Sequence, residues 1–374
     1  MALFDEHAPV LPAPRRRRPR VSVTGLWALS TALVALLVLT MLPTSFVIQR
    51  PGPVHNTLGT ATDADGEEVP LISIDGADTY PTAGSLDLLT VEVVGNRDHT
   101  PSWFELASAW FDPSRAVVPI DDIFPQGQTT DERNQQSAAM MVDSQKEATA
   151  AALGELGYDV AQLVRVYALT DDSPATGILE QGDVIVSANG TPVSDTPQLR
   201  ELIGAGDGAP VELGIERDGV PQTVAVTPAR AEVEGTARWV IGVTTMHDYV
   251  FPIQVTIQLD NVGGPSAGMM FALGIIDMLT PGELNGGRDV AGTGTIDAAG
   301  TVGPIGGIRQ KLFGARDAGA SVFLAPEKNC GEVVGHVPSG LRVVAVETLD
   351  DALTALETIR DDGDLDALPT CTAG

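Results

Sequence analysis

Two residues stand out for the chemistry they could do together. They are Ser266, in the stretch GGPSAG (263–268), and Lys311, in GGIRQKLF (306–313). A serine hydroxyl becomes a nucleophile only when a base takes its proton and something holds it in line. Lysine can be that base once burial lowers its pKa, whereas arginine keeps its proton near neutral pH. Lysine is also scarce: Lys146, Lys311 and Lys328 stand against 19 arginines. A lysine retained in an apolar helical stretch is therefore informative. Each residue also has a plainer reading. A serine opening an apolar helix ordinarily caps it, and a lysine on an amphipathic helix ordinarily runs its stem along the surface to water.

Other chemistries find less support. His7 lies near the start, His55 and His99 fall in the early region, and His247 and His336 flank the serine without a triad pattern. No H-E-x-x-H zinc motif occurs. Cys330 and Cys371 belong to no C-x-x-C pair and have no histidine at ligand distance, so neither a metal nor a cofactor is expected. The sequence contains no Gly-Lys dipeptide and hence no P-loop for ATP.

The elements that must position the pair are of two kinds. From about 237 to 358 strands and helices alternate: PIQVTIQL reads as a strand, SAGMMFALGIIDML as a helix, SVFLAP and LRVVAV as buried strands, with GGIRQKLFGARDAG a helix between them. Residues 158–230 instead give short β-rich runs broken by the turn signals Asn189-Gly190 and Asp218-Gly219, with one helix near Pro197–Ile203. Upstream, within 49–157, SLDLLTVEVVG (85–95) reads as a strand, SWFELASAWFD (102–112) as a short amphipathic helix, and the Ala-rich stretch ending at Gly157 as a long helix.

Two resemblances bear on these segments. SPATGILEQGDVIVSANGTPV (173–193) resembles the corresponding stretch of bacterial PDZ domains, which take an extended peptide as an added strand beside a helix. That groove is expected between the strand AQLVRVYAL and the helix Pro197–Ile203. The serine of GGPSAG, TGTIDAAGTVGPIGG (293–307), and the lysine 45 residues after the serine together closely resemble the proteolytic domain of Lon-type peptidases. The resemblance implies Ser266 as nucleophile, Lys311 as base and Thr293 as the residue orienting the lysine. The combination resembles bacterial Lon-like proteases with a PDZ domain and no ATPase module. It implies that residues 49–157 open the Lon-type domain, and that the PDZ domain is inserted into it. The expected fold is thus an α/β (α+β) Lon-type domain with a β-rich PDZ domain, preceded by one transmembrane helix.

The remaining expectations concern compartment and partners. Arg15, Arg16, Arg17, Arg18 and Arg20 precede Val21 to Ile48, a run with no charged residue. At about 1.5 Å per helical residue this suffices for a hydrocarbon core of about 30 Å. A cleaved signal peptide would begin similarly, but no A-x-A pattern follows. The expectation is a basic cytoplasmic segment (1–20), a signal anchor in the cell membrane (21–48) and an extracytoplasmic remainder ending in an acidic tail (359–374). Outside the cytoplasm, Cys330 and Cys371 are expected to form a disulfide. Fifty acidic residues against 22 basic ones, net −28, exclude nucleic acid as a partner. The function so read is an ATP-independent serine endopeptidase acting on unfolded or flexible proteins and peptides, with homo-oligomeric assembly implied by the Lon resemblance alone. The other reading is a PDZ adaptor with little or no catalysis.

Overall fold

The computed structural model describes residues 23–62, 66–233, 235–259 and 262–372. The basic segment 1–20 and the first residues of the expected anchor lie outside the described residues. Helix α1 (Val23–Met41) occupies most of the uncharged run. The run does not continue as a helix, however, because Phe46–Ile48 open strand β1 (Phe46–Asn56), where Val47 and Ile48 are buried. An apolar tripeptide satisfies a sheet core as well as a bilayer, and here the sheet takes it. Among the described residues no helix is long and apolar enough to cross a membrane.

Beyond β1 come β2 (Ser85–Val94), α2 (Trp103–Trp110), β3 (Ala116–Pro119) and the long helix α3 (Thr130–Glu155). Both helices begin in capping boxes, Ser102 with Glu105 and Thr129 with Glu132, in which side chain and backbone satisfy each other reciprocally. Pro51 and Pro53 are tolerated in β1 because its register with β2 shifts between Pro51 and Val54.

The next segment contains β4 (Ala161–Leu169), β5 (Val184–Ala188), α4 (Thr196–Ala205), β6 (Val211–Arg217) and β7 (Val220–Val226). It continues through β8 (Ala229–Val233) and β9 (Thr236–Val240) to β10 (Val243–Val250). Asp218 and Gly219, both at positive φ, make the two-residue turn between β6 and β7. The antiparallel path is β7-β6-β5-β4-β10. The sheet therefore extends to residue 250, well past the expected boundary at 230. Its last strand returns only after the β8–β9 hairpin.

The chain then forms α5 (Gly268–Leu279), β11 (Asp289–Gly292), α6 (Ile308–Asp317), β12 (Val322–Pro326), β13 (Arg342–Val346) and α7 (Leu349–Arg360). The second sheet has the order β13-β12-β11-β2-β1-β3. Its β2–β11 pairing is parallel, with Ser85 beside Asp289 and Leu88 beside Gly292. Segments before and after the β4–β10 domain thus share one sheet. Both faces of this sheet are covered. On one side Leu86, Leu88, Val322 and Leu324 pack with Ala148, Phe271 and Leu356. On the other, Leu89, Phe323 and Ala325 pack with Ile308 and Leu312. The alternation along VFLAP places successive side chains on opposite faces, as a buried parallel strand requires. Residues 359–372 are no free tail: Ala345 donates to the Pro369 carbonyl at 2.9 Å, and Cys330 and Cys371 are joined by a disulfide.

Candidate active site

The serine segment is a tight turn ahead of a buried helix. Helix α5 starts at Gly268 with Ala267 in the capping position, and no side chain caps it. Ser266 is therefore not spent as a cap. Four hydrogen bonds hold the turn. The Gly264 N–H donates to the Ser137 carbonyl at 2.9 Å, and the Ser144 hydroxyl donates to the Pro265 carbonyl at 3.0 Å. The Ser266 carbonyl accepts from the Gly294 N–H and from Thr293 Oγ1, both at 2.9 Å. The small residues of the motif have a steric reason. A Cβ on Gly263 would stand 2.7 Å from Ser137 Cβ, and one on Gly268 would stand 2.9 Å from Ser144 Oγ. Gly264 itself sits at φ +87°, where a side chain is strained.

Lys311 comes from the first turn of α6, its N–H donating to the Gly307 carbonyl at 3.2 Å. Gly307 is left-handed at φ +69°, and a Cβ there would meet Val91 at 2.7 Å. The loop leading to it is fixed by Asn329, whose amide both donates to the Ile305 carbonyl and accepts the Ile305 N–H at 2.9 Å. Ile308 and Leu312 anchor the helix in the core on either side of the lysine. Lys311 is 2% exposed. Its Nζ lies 2.7 Å from Ser266 Oγ and 2.9 Å from Thr293 Oγ1. The Thr293 hydroxyl gives its one proton to the Ser266 carbonyl, so towards Lys311 it can only accept. Burial lowers the lysine pKa from 10.5 to about 7. Near neutral pH the amine is thus partly uncharged, with a lone pair available to the serine O–H.

Beside the turn lies a cleft of about 680 Å³ lined by Val93, Asn96, Arg133, Asn134, Ser137 and Gly263. It runs along the end of β2 and the first turns of α3. Among the described residues, the Ser266 and Ala267 N–H groups donate to no other backbone carbonyl. His336 turns away to the Val334 carbonyl, and no group of described residues could hold a metal ion.

Helix α3 contributes residues that the motifs do not announce. Ser137 and Ser144 lie seven residues apart on the seam that also buries Met141, Ala148 and Ala151. That spacing of small residues is the only sequence signal for a close helix contact. Two residues beyond Ser144, Lys146 pairs with Asp248 at 3.0 Å, while Arg165 meets the same carboxylate at 2.9 Å. Glu147 accepts from the Tyr249 hydroxyl at 2.9 Å and from the Ala298 N–H at 2.7 Å. The helix therefore touches the serine turn, strand β10 and the loop after β11.

The peptide groove also differs from expectation. The edge of β4 is occupied by β10, so the strand facing α4 is β10 itself. Between them lies a cavity of about 440 Å³ lined by Leu199, Ile203, Trp239, Ile241, Val243 and Thr245. The Thr196 and Thr245 hydroxyls meet at 2.9 Å at one end of it.

Comparison with known proteins assigns both segments. Residues 255–358 match the Lon protease (S16) C-terminal proteolytic domain, and residues 139–227 match the PDZ domain. Over 93 residues the chain is 46% identical to Lon protease 2 of Herpetosiphon aurantiacus, covering 24% of this chain and 11% of that protein. It is 38% identical over 94 residues to a Lon protease of Campylobacter concisus, with the same two coverages. The chain spans about a tenth of the length of these curated relatives (11%). The PDZ domain of an SdrC-like protein from Listeria monocytogenes aligns at 22% identity and TM-score 0.20, covering 22% of this chain and 85% of that one. The chain thus carries a proteolytic domain of the serine-peptidase class. More narrowly, that domain is of the Lon type and is accompanied by a PDZ domain; strand β10 lies outside both matched ranges.

Proposed function

We propose that the chain is a serine endopeptidase working through a Ser266–Lys311 dyad without ATP, on unfolded or flexible substrates captured by its PDZ domain. The carrying observation is the 2.7 Å contact between Ser266 Oγ and the nitrogen of a lysine that is 2% exposed. Neutral Lys311 takes the hydroxyl proton as Ser266 attacks the scissile carbonyl. The resulting ammonium then protonates the leaving amine, and water hydrolyses the acyl-enzyme by the reverse route. Thr293 keeps the amine aimed by accepting one of its protons. The N–H groups of Ser266 and Ala267 would serve the developing oxyanion, a donor of this kind being worth about 3 kcal/mol in the transition state. In the PDZ domain an extended segment would pair with the open edge of β10 and seat a side chain against Leu199 and Ile203.

The uncharged run after the N-terminal arginines supports a further part of the reading, that the chain is held at the cell membrane with its catalytic domain outside. Apolar side chains along α1, among them Leu26, Trp27 and Leu33, are exposed on the isolated chain and need an apolar surrounding. The test is hydrolysis of unfolded casein by the full chain without nucleotide, compared with Ser266→Ala. Hydrolysis by the parent alone supports the dyad. Casein binding without hydrolysis by the parent would favour the adaptor reading.

A further inference from the structure

Helix α2 carries four large aromatic side chains on its outer side. Trp103 is 38% exposed, Phe104 72%, Trp110 64%, and Phe111, directly after the helix, 90%. At 100° per residue these four fall on one arc of about 120°. The opposite flank is already used: Leu106 and Ala109 are buried against Ile48 of β1. Glu105 stands outside the arc, held in the capping box, and Asp112 is bound to Ser114 and Arg115. The aromatic surface therefore contains no charge, in a chain whose net charge is −28. Two of the chain's four tryptophans lie on this eight-residue helix. An exposed apolar arc of this kind marks an interaction surface rather than ordinary solvent-facing helix.

Its position indicates the occupant. The Thr44 N–H donates to Thr100 Oγ1 at 3.1 Å, and the Thr44 hydroxyl donates to the Pro101 carbonyl at 2.8 Å. These bonds tie the residues just after α1 to those just before α2. Leu42, at the end of α1, is exposed between them. Exposed apolar side chains thus lie on both α1 and α2, the two elements that this tie joins. Tryptophan and phenylalanine on an uncharged arc suit the boundary between headgroups and acyl chains, where an indole ring buries its body and keeps its N–H wet.

We propose that the aromatic arc of α2 rests in the interfacial layer of the bilayer and fixes the tilt of the catalytic domain against the membrane. This deepens, and rests on, the reading that the N-terminal run holds the chain at a membrane. Contact comes from the apolar boundary and not from headgroup charge, so it is insensitive to salt.

The test uses the full chain in phosphatidylcholine vesicles whose acyl chains are brominated close to the headgroup. Two versions are compared, one keeping only Trp110 and one keeping only Trp27, with the other tryptophans changed to Phe; retained far-UV circular dichroism shows that each is folded. The expected result is that both lose most of their emission to bromine, Trp110 equally at low and high salt, with Trp110 protected from water-borne acrylamide. Quenching of Trp27 but not Trp110, with Trp110 open to acrylamide, overturns the α2 contact and leaves the anchor standing. Trp110 shielded from both quenchers indicates a second copy over the arc and also overturns it. If neither tryptophan senses bromine, the anchor reading fails and this inference fails with it.

Discussion

Replacing Lys311 by Met tests the base directly, since the variant keeps an apolar stem of nearly the same length and removes the nitrogen. In the parent, burial sets the lysine pKa at about 7. Half the amine is then neutral at pH 7, against roughly one part in three thousand at the ordinary lysine value. The acylation rate of the parent should rise about tenfold from pH 6 to pH 8 and then level off. Lys311→Met should lose that profile together with about 10²–10⁴ in rate, the usual contribution of a positioned general base. Stability changes with pH in the same direction but over a higher window. Between pH 7 and 10.5 the unfolded chain binds the lysine proton and the folded chain does not, so this group makes the parent more stable as pH rises through that window. The increment is at most about 5 kcal/mol, and below pH 7 the charged amine is buried in full. Lys311→Met has no such group, so it should fold at least as well as the parent at pH 7 and show no corresponding gain at alkaline pH. The assay pairs stopped-flow acylation of a peptide ester with thermal melts across pH 6–10. A Lys311→Met chain that keeps a tenth of the parent rate at pH 8 would refute the general-base role.

Thr293→Val should slow acylation by about 10- to 100-fold, the equivalent of one lost buried hydrogen bond of 1–3 kcal/mol, and move the lower limb of the pH profile to lower pH, because the hydroxyl accepts from the charged amine; an unchanged profile would exclude the contact to Lys311. Ser144→Ala frees the Pro265 carbonyl and should lower kcat with little change in KM, while Ser144→Thr restores part of it; equal loss in both variants would mean that only packing matters at that position. Reducing the Cys330–Cys371 bridge, whose partners are 41 residues apart, should lower stability by up to about 4 kcal/mol in the chain-entropy limit, read as a fall in the melting temperature with dithiothreitol that Cys371→Ser abolishes.

Legibility in the sequence followed the strength of local constraint. Ser266 and Lys311 were readable because a proline, five glycines and a rare lysine crowd into two short motifs, and four of those glycines, Gly263, Gly264, Gly268 and Gly307, answer a close approach or a left-handed turn. Thr293 was readable only through the resemblance, since a single threonine after a strand carries no signal of its own. The turn's partners on α3 were not readable. Ser137 and Ser144 act through a helix packed from 121 residues away, in the case of Ser144 and Pro265, and local periodicity cannot say which helix that will be. Strand β10 is not legible for a related reason: alternation in VTTMHDYV is weak when half its residues are polar, and only the pairing from Val243–Leu169 to Val250–Ala161 gives it a place. The end of α1 was misjudged because Phe46, Val47 and Ile48 fit a bilayer or a sheet core equally well by composition.

The pairing of Ala161 with Val250 brings the two ends of the PDZ insertion side by side, and this bears on how the chain is made. Strand β2 must wait for β11, since Ser85 pairs with Asp289. At ordinary rates of synthesis that wait lasts roughly 10–40 s, during which one edge of an apolar strand stays open to pairing with other chains. The inserted domain can fold within that interval and pin its own ends together. It thereby removes roughly 90 residues from the loop still to be closed, which by the logarithmic law saves only about half a kcal/mol. The benefit is in the search and not in equilibrium stability: once β11 has been made, a chain whose insertion has already folded presents it to β2 from a shorter tether.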